Sequence, residues 1–461
     1  VETVAQVIAF VGILVFLAHL FTGIFSRTRI PDVILLIIIG ICVGPVLNLV
    51  SPSQFGEVGP VFTTITLIII LFESGLSLKL SMLRKALAGA LILAPLSFFF
   101  TMAVVAGLAV WLADLEVLPA FILGAIVGST SETVVIPLLR QLGVKEETKT
   151  LLSVESSVND VLSIVITVAL VQAYVGGGTF EIASVSGNLI ASFLVALVFG
   201  IIGALMWSVL LNRIHAIKNA MFTTPAFVFV IYGLVETLDF SGAIAALAFG
   251  ITIGNIETLR IPIFKTMTDR EPAGLNETER VFFSEVAFLL KTFFFIYLGL
   301  SLELISNELI IIAAIFTGVA FFLRLPAVKA SVRKPMMPKD IAVMAVMIPK
   351  GLAAVVLAGI PLQQEVAGGE IIQNITYGVV LFSIVLTSIL VLFLESTPLP
   401  RLYAWFLAPG LWESRLKTIP RPKEISDEIE EIIPAGEKLF GGRGDRNRGG
   451  PDGDGMPRKS G

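Results

Sequence analysis

The sequence predicts an all-α polytopic membrane protein of about thirteen transmembrane helices arranged as inverted repeats. Composition, the spacing of apolar stretches and the charges of the loops carry that expectation. Of 461 residues 56% are hydrophobic and 15% charged, against about 25% charged in soluble domains. The charges are clustered and leave thirteen stretches, about 3–25, 30–50, 60–78, 86–112, 117–140, 150–175, 183–211, 222–238, 241–257, 281–302, 306–328, 340–361 and 371–394. Each approaches the roughly 20 residues that cross a bilayer. Spans eight and nine are separated only by Asp239 and Phe240.

Loop charges set the orientation. Arg27 and Arg29 follow span one, Lys79, Arg84 and Lys85 span three, and Arg140, Lys145 and Lys149 surround the loop after span five. Arg213 and Lys218 follow span seven, Arg260, Lys265 and Arg270 span nine, and Lys329, Arg333, Lys334 and Lys339 span eleven. The alternate loops carry acids such as Glu57, Asp114, Glu116, Glu181, Glu303 and Glu365, without Lys or Arg. Positive loops stay in the cytoplasm, so the N-terminus is expected outside and the C-terminus inside. The first span is too long and too lightly flanked for a signal peptide. From about Trp412 the chain turns polar, and 441–461 has the composition of a disordered tail. Residues 421–433 suit a short amphipathic cytoplasmic helix. A single cysteine, Cys42, excludes disulfides within the chain.

A duplication is visible. Gly40-Ile-Cys-Val-Gly44 in span two resembles Gly250-Ile-Thr-Ile-Gly254 in span nine, and Gly75-Leu-Ser-Leu resembles Gly299-Leu-Ser-Leu. The order and offset pair spans two to six with nine to thirteen, in opposite directions across the membrane. That pairing sets span five against span twelve, and both look interrupted. Span five holds Gly128-Ser129-Thr130-Ser131-Glu132-Thr133 and Pro137; span twelve holds Pro349-Lys350-Gly351 and Pro361. Non-helical backbone is tolerated in a bilayer only where it is buried or lines a cavity. Two broken, crossing helices are therefore expected, with Glu132 and Lys350 compensating helix termini.

The chemistry concentrates in span six, in Glu155-Ser-Ser-Val-Asn159-Asp160. A mid-membrane carboxylate costs roughly 2.5–3.5 kcal/mol on insertion scales and marks an ion or proton path. On a helix Ser156, Asp160 and Ser163 share a face, while Glu155 stacks on Asn159. Ser156 and Asp160 offer hard oxygens that suit an alkali cation. A proton and a cation compete for one buried carboxylate. Glu155 is expected to pair with Lys350 as a structural ion pair, and Asn159 to support the broken segment. Lys291 and Glu73 are possible further members of the site, the alternatives being a lysine snorkelling toward the cytoplasm and a simple interface residue; Arg324 reads as snorkelling. His19 and His215, near interfaces or in a loop, make weak internal pH sensors.

At these residues the chain resembles the NhaP-like sodium/proton antiporters of the monovalent cation/proton antiporter superfamily. E-S-S-V-N-D at 155–160 is similar to their E-S-x-x-N-D signature, and 124–144 to their segment around T-D-P. LFESGLSL at 71–78 and the glycine-bearing span two fit as well. The resemblance implies exchange of Na⁺ or K⁺ for protons by an elevator-like movement of a homodimer in a prokaryotic inner or plasma membrane. Residues 86–175 and 306–394 would form the transport core, 1–85 and 183–302 the dimerisation, scaffold and linking helices, and 401–461 a cytoplasmic tail. Asp160 would carry both ions, with Ser156 and the Thr130 backbone as cation ligands and Ser131 and Glu132 beside them. Two departures stand out. Ser131 and Glu132 occupy the positions of the family's Asp and Pro, which displaces a carboxylate by one residue and leaves Na⁺ and K⁺ both open. Lys350 replaces the usual span-twelve Arg. The single Asn-Asp resembles the electroneutral branch.

A channel or proton-gated K⁺ efflux pathway on the same helices would need a filter of backbone carbonyls, and no TVGYG-like run is present. An intramembrane aspartyl enzyme would need a second motif such as G-x-G-D. No Walker A sequence or metal-ligand cluster occurs, so the chain reads as a secondary transporter without cofactor, nucleic-acid partner or enzymatic activity.

Overall fold

In the computed structural model the described residues are 32–49, 58–81, 88–176, 182–214, 221–259, 273–302, 306–332 and 335–409, with single positions between 12 and 23. Most of the first span, many of the loop charges used for orientation and the 410–461 tail lie outside them. Among the described residues every regular element is helical.

In chain order these are α1 (Asp32–Ile41) with a π-helical turn at Cys42–Val46, α2 (Val58–Ser77), α3 (Ala88–Leu112), α4 (Val117–Gly128) and α5 (Glu132–Gln141). Next come α6 (Glu146–Val175), α7 (Ile182–Ile214), α8 (Thr223–Glu236), α9 (Gly242–Gly254), α10 (Ile256–Leu259) and α11 (Glu277–Ser301). The chain continues through α12 (Asn307–Ser331), α13 (Pro338–Val346), α14 (Leu352–Gln363), α15 (Gly369–Ser396) and α16 (Leu399–Leu407).

Among the described residues seven helical segments are long and apolar enough to cross a membrane, and five shorter apolar helices of 10–17 residues accompany them. The sequence-based spans are longer than the helices in several places. Spans eight and nine, for example, become α8 and α9 of 14 and 13 residues. The chain turns between them at Asp239, whose φ of 60° lies in the left-handed region that aspartate tolerates.

Local signals explain the helix ends. Asn276 and Glu279 form a capping box at the start of α11. Ser241 and Ser306 accept backbone N–H groups at the starts of α9 and α12. Pro338 opens α13, where a missing N–H costs nothing. Large apolar side chains remain outside, among them Trp111, Phe322 and Trp405, which are 77%, 71% and 63% exposed. Such a surface is unfavourable in water and suits a lipid environment.

Close glycine contacts hold the bundle together. Gly40 of α1 lies against Gly299 of α11, and Gly75 of α2 lies against Gly250 of α9. The contacts repeat in register: a Cβ on Gly40 would meet the Ile296 carbonyl, three residues before Gly299. One on Gly250 would meet the Phe72 carbonyl, three before Gly75. Gly44 and Gly254 likewise sit on Leu300 and Leu76. Glycine is required here because the partner is backbone, with no room for a side chain.

Two interruptions position the site. Between α4 and α5, Ser129 and Ser131 are extended; between α13 and α14 the chain leaves the helix from Met347 to Gly351. They touch: the Ser131 N–H donates to the Pro349 carbonyl at 2.8 Å. A Cβ at Gly351 would overlap the Ser131 hydroxyl. The Lys350 N–H is held by Ser383 Oγ of α15 at 2.9 Å.

A candidate cation site at two helix interruptions

Asp160 sits on α6 and is only 9% exposed. The backbone N–H of Glu132, the first residue of α5, faces its carboxylate. The positive end of a helix thus points at an anionic group. Asp160 Oδ1 nevertheless has no hydrogen-bond partner among the described residues. Asn159 Oδ1 is buried and unpartnered in the same way, while its Nδ2 donates to Glu155 Oε1 at 2.7 Å and to Thr130 Oγ1 at 3.3 Å. Buried acceptors without donors are costly, and an unpartnered carboxylate oxygen is a ligand that suits a hard cation.

Asp160 lines a cavity of about 320 Å³. Ser131, Glu132 and Leu352 border it on one side, and Glu73 of α2 with Ser284 and Lys291 of α11 on the other. The sequence-predicted Glu73, Glu132, Ser131, Lys291 and Asp160 therefore meet in one space. Ser156 and Thr130 are buried but do not border that cavity; the Ser156 hydroxyl donates to its own helix at Leu152 O, 3.0 Å away. Ser163 fixes α6 to α4 through the Ala125 carbonyl at 2.9 Å. Among the described residues no group of three or more His, Cys, Asp or Glu side chains forms a metal-holding cluster.

The predicted Glu155–Lys350 pair is replaced by a different one. Arg324 of α12, expected to snorkel, is 0% exposed. Its Nη1 and Nη2 reach Glu155 Oε1 and Oε2 at 2.7 and 3.0 Å, a fork-to-fork pair. Arg324 also donates from Nε to the Met344 carbonyl at 3.0 Å, in the last turn of α13. Lys350 Nζ instead donates to the Ser129 carbonyl at 2.6 Å, just past the end of α4. Each interrupted helix thus has a cation on its negative end. The planar guanidinium suits a carboxylate plus a carbonyl, whereas the single ammonium suits one carbonyl. Glu132 lies at the start of α5, the end where an acid is favourable.

Charged groups and unwound backbone inside an apolar helical bundle define an integral membrane protein with an internal ionic site. The chain belongs to the sodium/hydrogen exchanger family, whose transmembrane profile matches residues 12–394. It is 25% identical over 430 residues to the K⁺/H⁺ antiporter NhaP2 of Shewanella sp. strain MR-4, covering 91% of this chain and 68% of that one. The low-affinity Na⁺/H⁺ antiporter NhaS1 of Synechocystis is 25% identical over 382 residues, 77% of this chain and 67% of that protein. Among solved structures, the sodium proton antiporter MjNhaP1 from Methanocaldococcus jannaschii at pH 8 shares the fold, with a TM-score of 0.63 and 20% identity over 84% of this chain and 99% of that one.

Proposed function

We propose that this chain is a secondary active antiporter that exchanges Na⁺ or K⁺ for H⁺ at Asp160, one cation per proton. The observation that carries this reading is Asp160 itself, which lines a cavity at the start of α5 and whose buried Oδ1 has no hydrogen-bond partner among the described residues. The names of the K⁺/H⁺ and Na⁺/H⁺ antiporter relatives agree with it. Protonated, Asp160 needs no counter-charge. Ionised, it needs a cation, and the two forms alternate at one site. Ser156 and the Thr130 backbone complete the cation shell in this reading. Asn159 braces the shell, while Glu155 and Lys350 act structurally, Glu155 through Arg324.

The reading extends to a homodimer of thirteen-helix protomers in a prokaryotic plasma membrane, with spans five and twelve as crossing broken helices of an inverted repeat. The in-register glycine contacts α1–α11 and α9–α2 support the repeat. For the elevator-like movement of 86–175 and 306–394 against the remaining helices, the support is the cavity wall. Its residues come partly from 131–160 and 352–353 and partly from α2 and α11.

The test is competition. In proteoliposomes with an internal pH dye, lowering pH is expected to raise the cation concentration for half-maximal exchange without lowering the maximal rate. A maximal rate that falls while half-saturation stays fixed contradicts a shared site.

A further inference from the structure

Glu132 stands where the family pattern has proline, and it borders two cavities. One holds Asp160. The other, of about 560 Å³, runs along α6 past Ser157 and Ser153 to Glu146 and Lys149. Glu146 and Lys149 neutralise each other at 2.7 Å. The other charged groups on that cavity are Lys79, which is exposed, and Glu132 itself. The Ser157 hydroxyl, which reaches back to the Ser153 carbonyl at 2.9 Å, lies against the Glu132 carboxylate. Of the residues that line both cavities, Ser77, Glu132 and Ile136, only Glu132 is charged.

We propose that Glu132 and Ser157 form a second cation-binding station, which takes the alkali cation from the second cavity and passes it to Asp160. This rests on the exchange reading above. Carboxylate and hydroxyl oxygens are suitable hard ligands. The placement favours the transfer, because Glu132 and Asp160 line one cavity. Electrostatics does too: Glu132 and Asp160 repel each other across a poorly screened interior, and a cation between them relieves the repulsion. The one bond broken is the Asp160 O–H: as the cation moves from Glu132 to Asp160, the proton leaves to solvent on the side from which the cation came.

The experiment compares Glu132→Gln, Ser157→Ala and Asp160→Asn in the proteoliposome exchange assay with Na⁺ and K⁺. Glu132→Gln is expected to raise the half-saturating cation concentration about tenfold, and Ser157→Ala about threefold, with exchange persisting at saturation. Asp160→Asn is expected to abolish exchange. Unchanged half-saturation in Glu132→Gln and Ser157→Ala overturns the station and leaves the Asp160 reading intact. A folded Glu132→Gln protein inactive at every concentration also overturns it, because Glu132 then belongs to the exchange step. Where Glu132→Gln does not fold, Glu132→Ala, which keeps the backbone N–H toward Asp160, carries the same expectation. Retained exchange in Asp160→Asn removes the reading underneath.

Discussion

At the scale of single residues, the Arg324–Glu155 pair is the feature with the largest expected stability effect. Both side chains are fully buried, so removing either strands a charge, at roughly 3–5 kcal/mol. Arg324→Ala is therefore expected to lower the melting temperature far more than Lys350→Ala, and Arg324→Lys to restore only part of it, because an ammonium cannot span two carboxylate oxygens and a carbonyl. Equal melting temperatures for Arg324→Ala and Lys350→Ala would contradict the assignment. Asp160, Glu155 and Lys350 were legible in the sequence because charge inside an apolar span is rare. Arg324 was misjudged because a lone arginine seven residues from the end of its helix reads as one that reaches the interface. The signal that separates it is chemical: a buried glutamate seeks a bidentate partner, and Arg324 was the better match than Lys350.

At the scale of elements, close backbone approach carries the packing. Gly250→Ala and Gly299→Ala each drive a Cβ into a carbonyl of the facing helix, and overpacking costs about 1–3 kcal/mol. Gly107, where an added Cβ meets nothing within 4 Å, is the control, and Gly107→Ala is expected to be neutral or slightly stabilising. Thermal melts of the three variants decide it; a loss shared by Gly107→Ala would point to something other than helix contact. Both helix interruptions were legible, since runs of small, polar and proline residues in an apolar span signal unwound backbone. Their mutual contact through Ser131 and Pro349 was not, because no local pattern encodes which loops meet. The glycine repeats were visible as sequence, but their partners were not: α1 pairs with α11, and α2 with α9.

At the scale of the whole molecule, the loop charges give the chain an expected direction across the membrane. On that expected orientation, Lys145 lies inside and Asp114 outside. With Cys42, the one native cysteine, replaced by Ser, Asp114→Cys is expected to react with a membrane-impermeant thiol reagent on intact cells. Lys145→Cys is expected to react only after permeabilisation. The reverse pattern would invert the topology and with it the side from which the second cavity fills.

The most direct test of the central claim is exchange by purified protein in proteoliposomes under an imposed pH gradient, with Na⁺, Li⁺, K⁺ or Rb⁺ added singly and Asp160→Asn alongside. The account predicts that at least Na⁺ or K⁺ dissipates the gradient through the wild-type protein and that folded Asp160→Asn does nothing. Wild-type rates in the mutant, or no response to any of the four cations from folded wild-type protein, would contradict it.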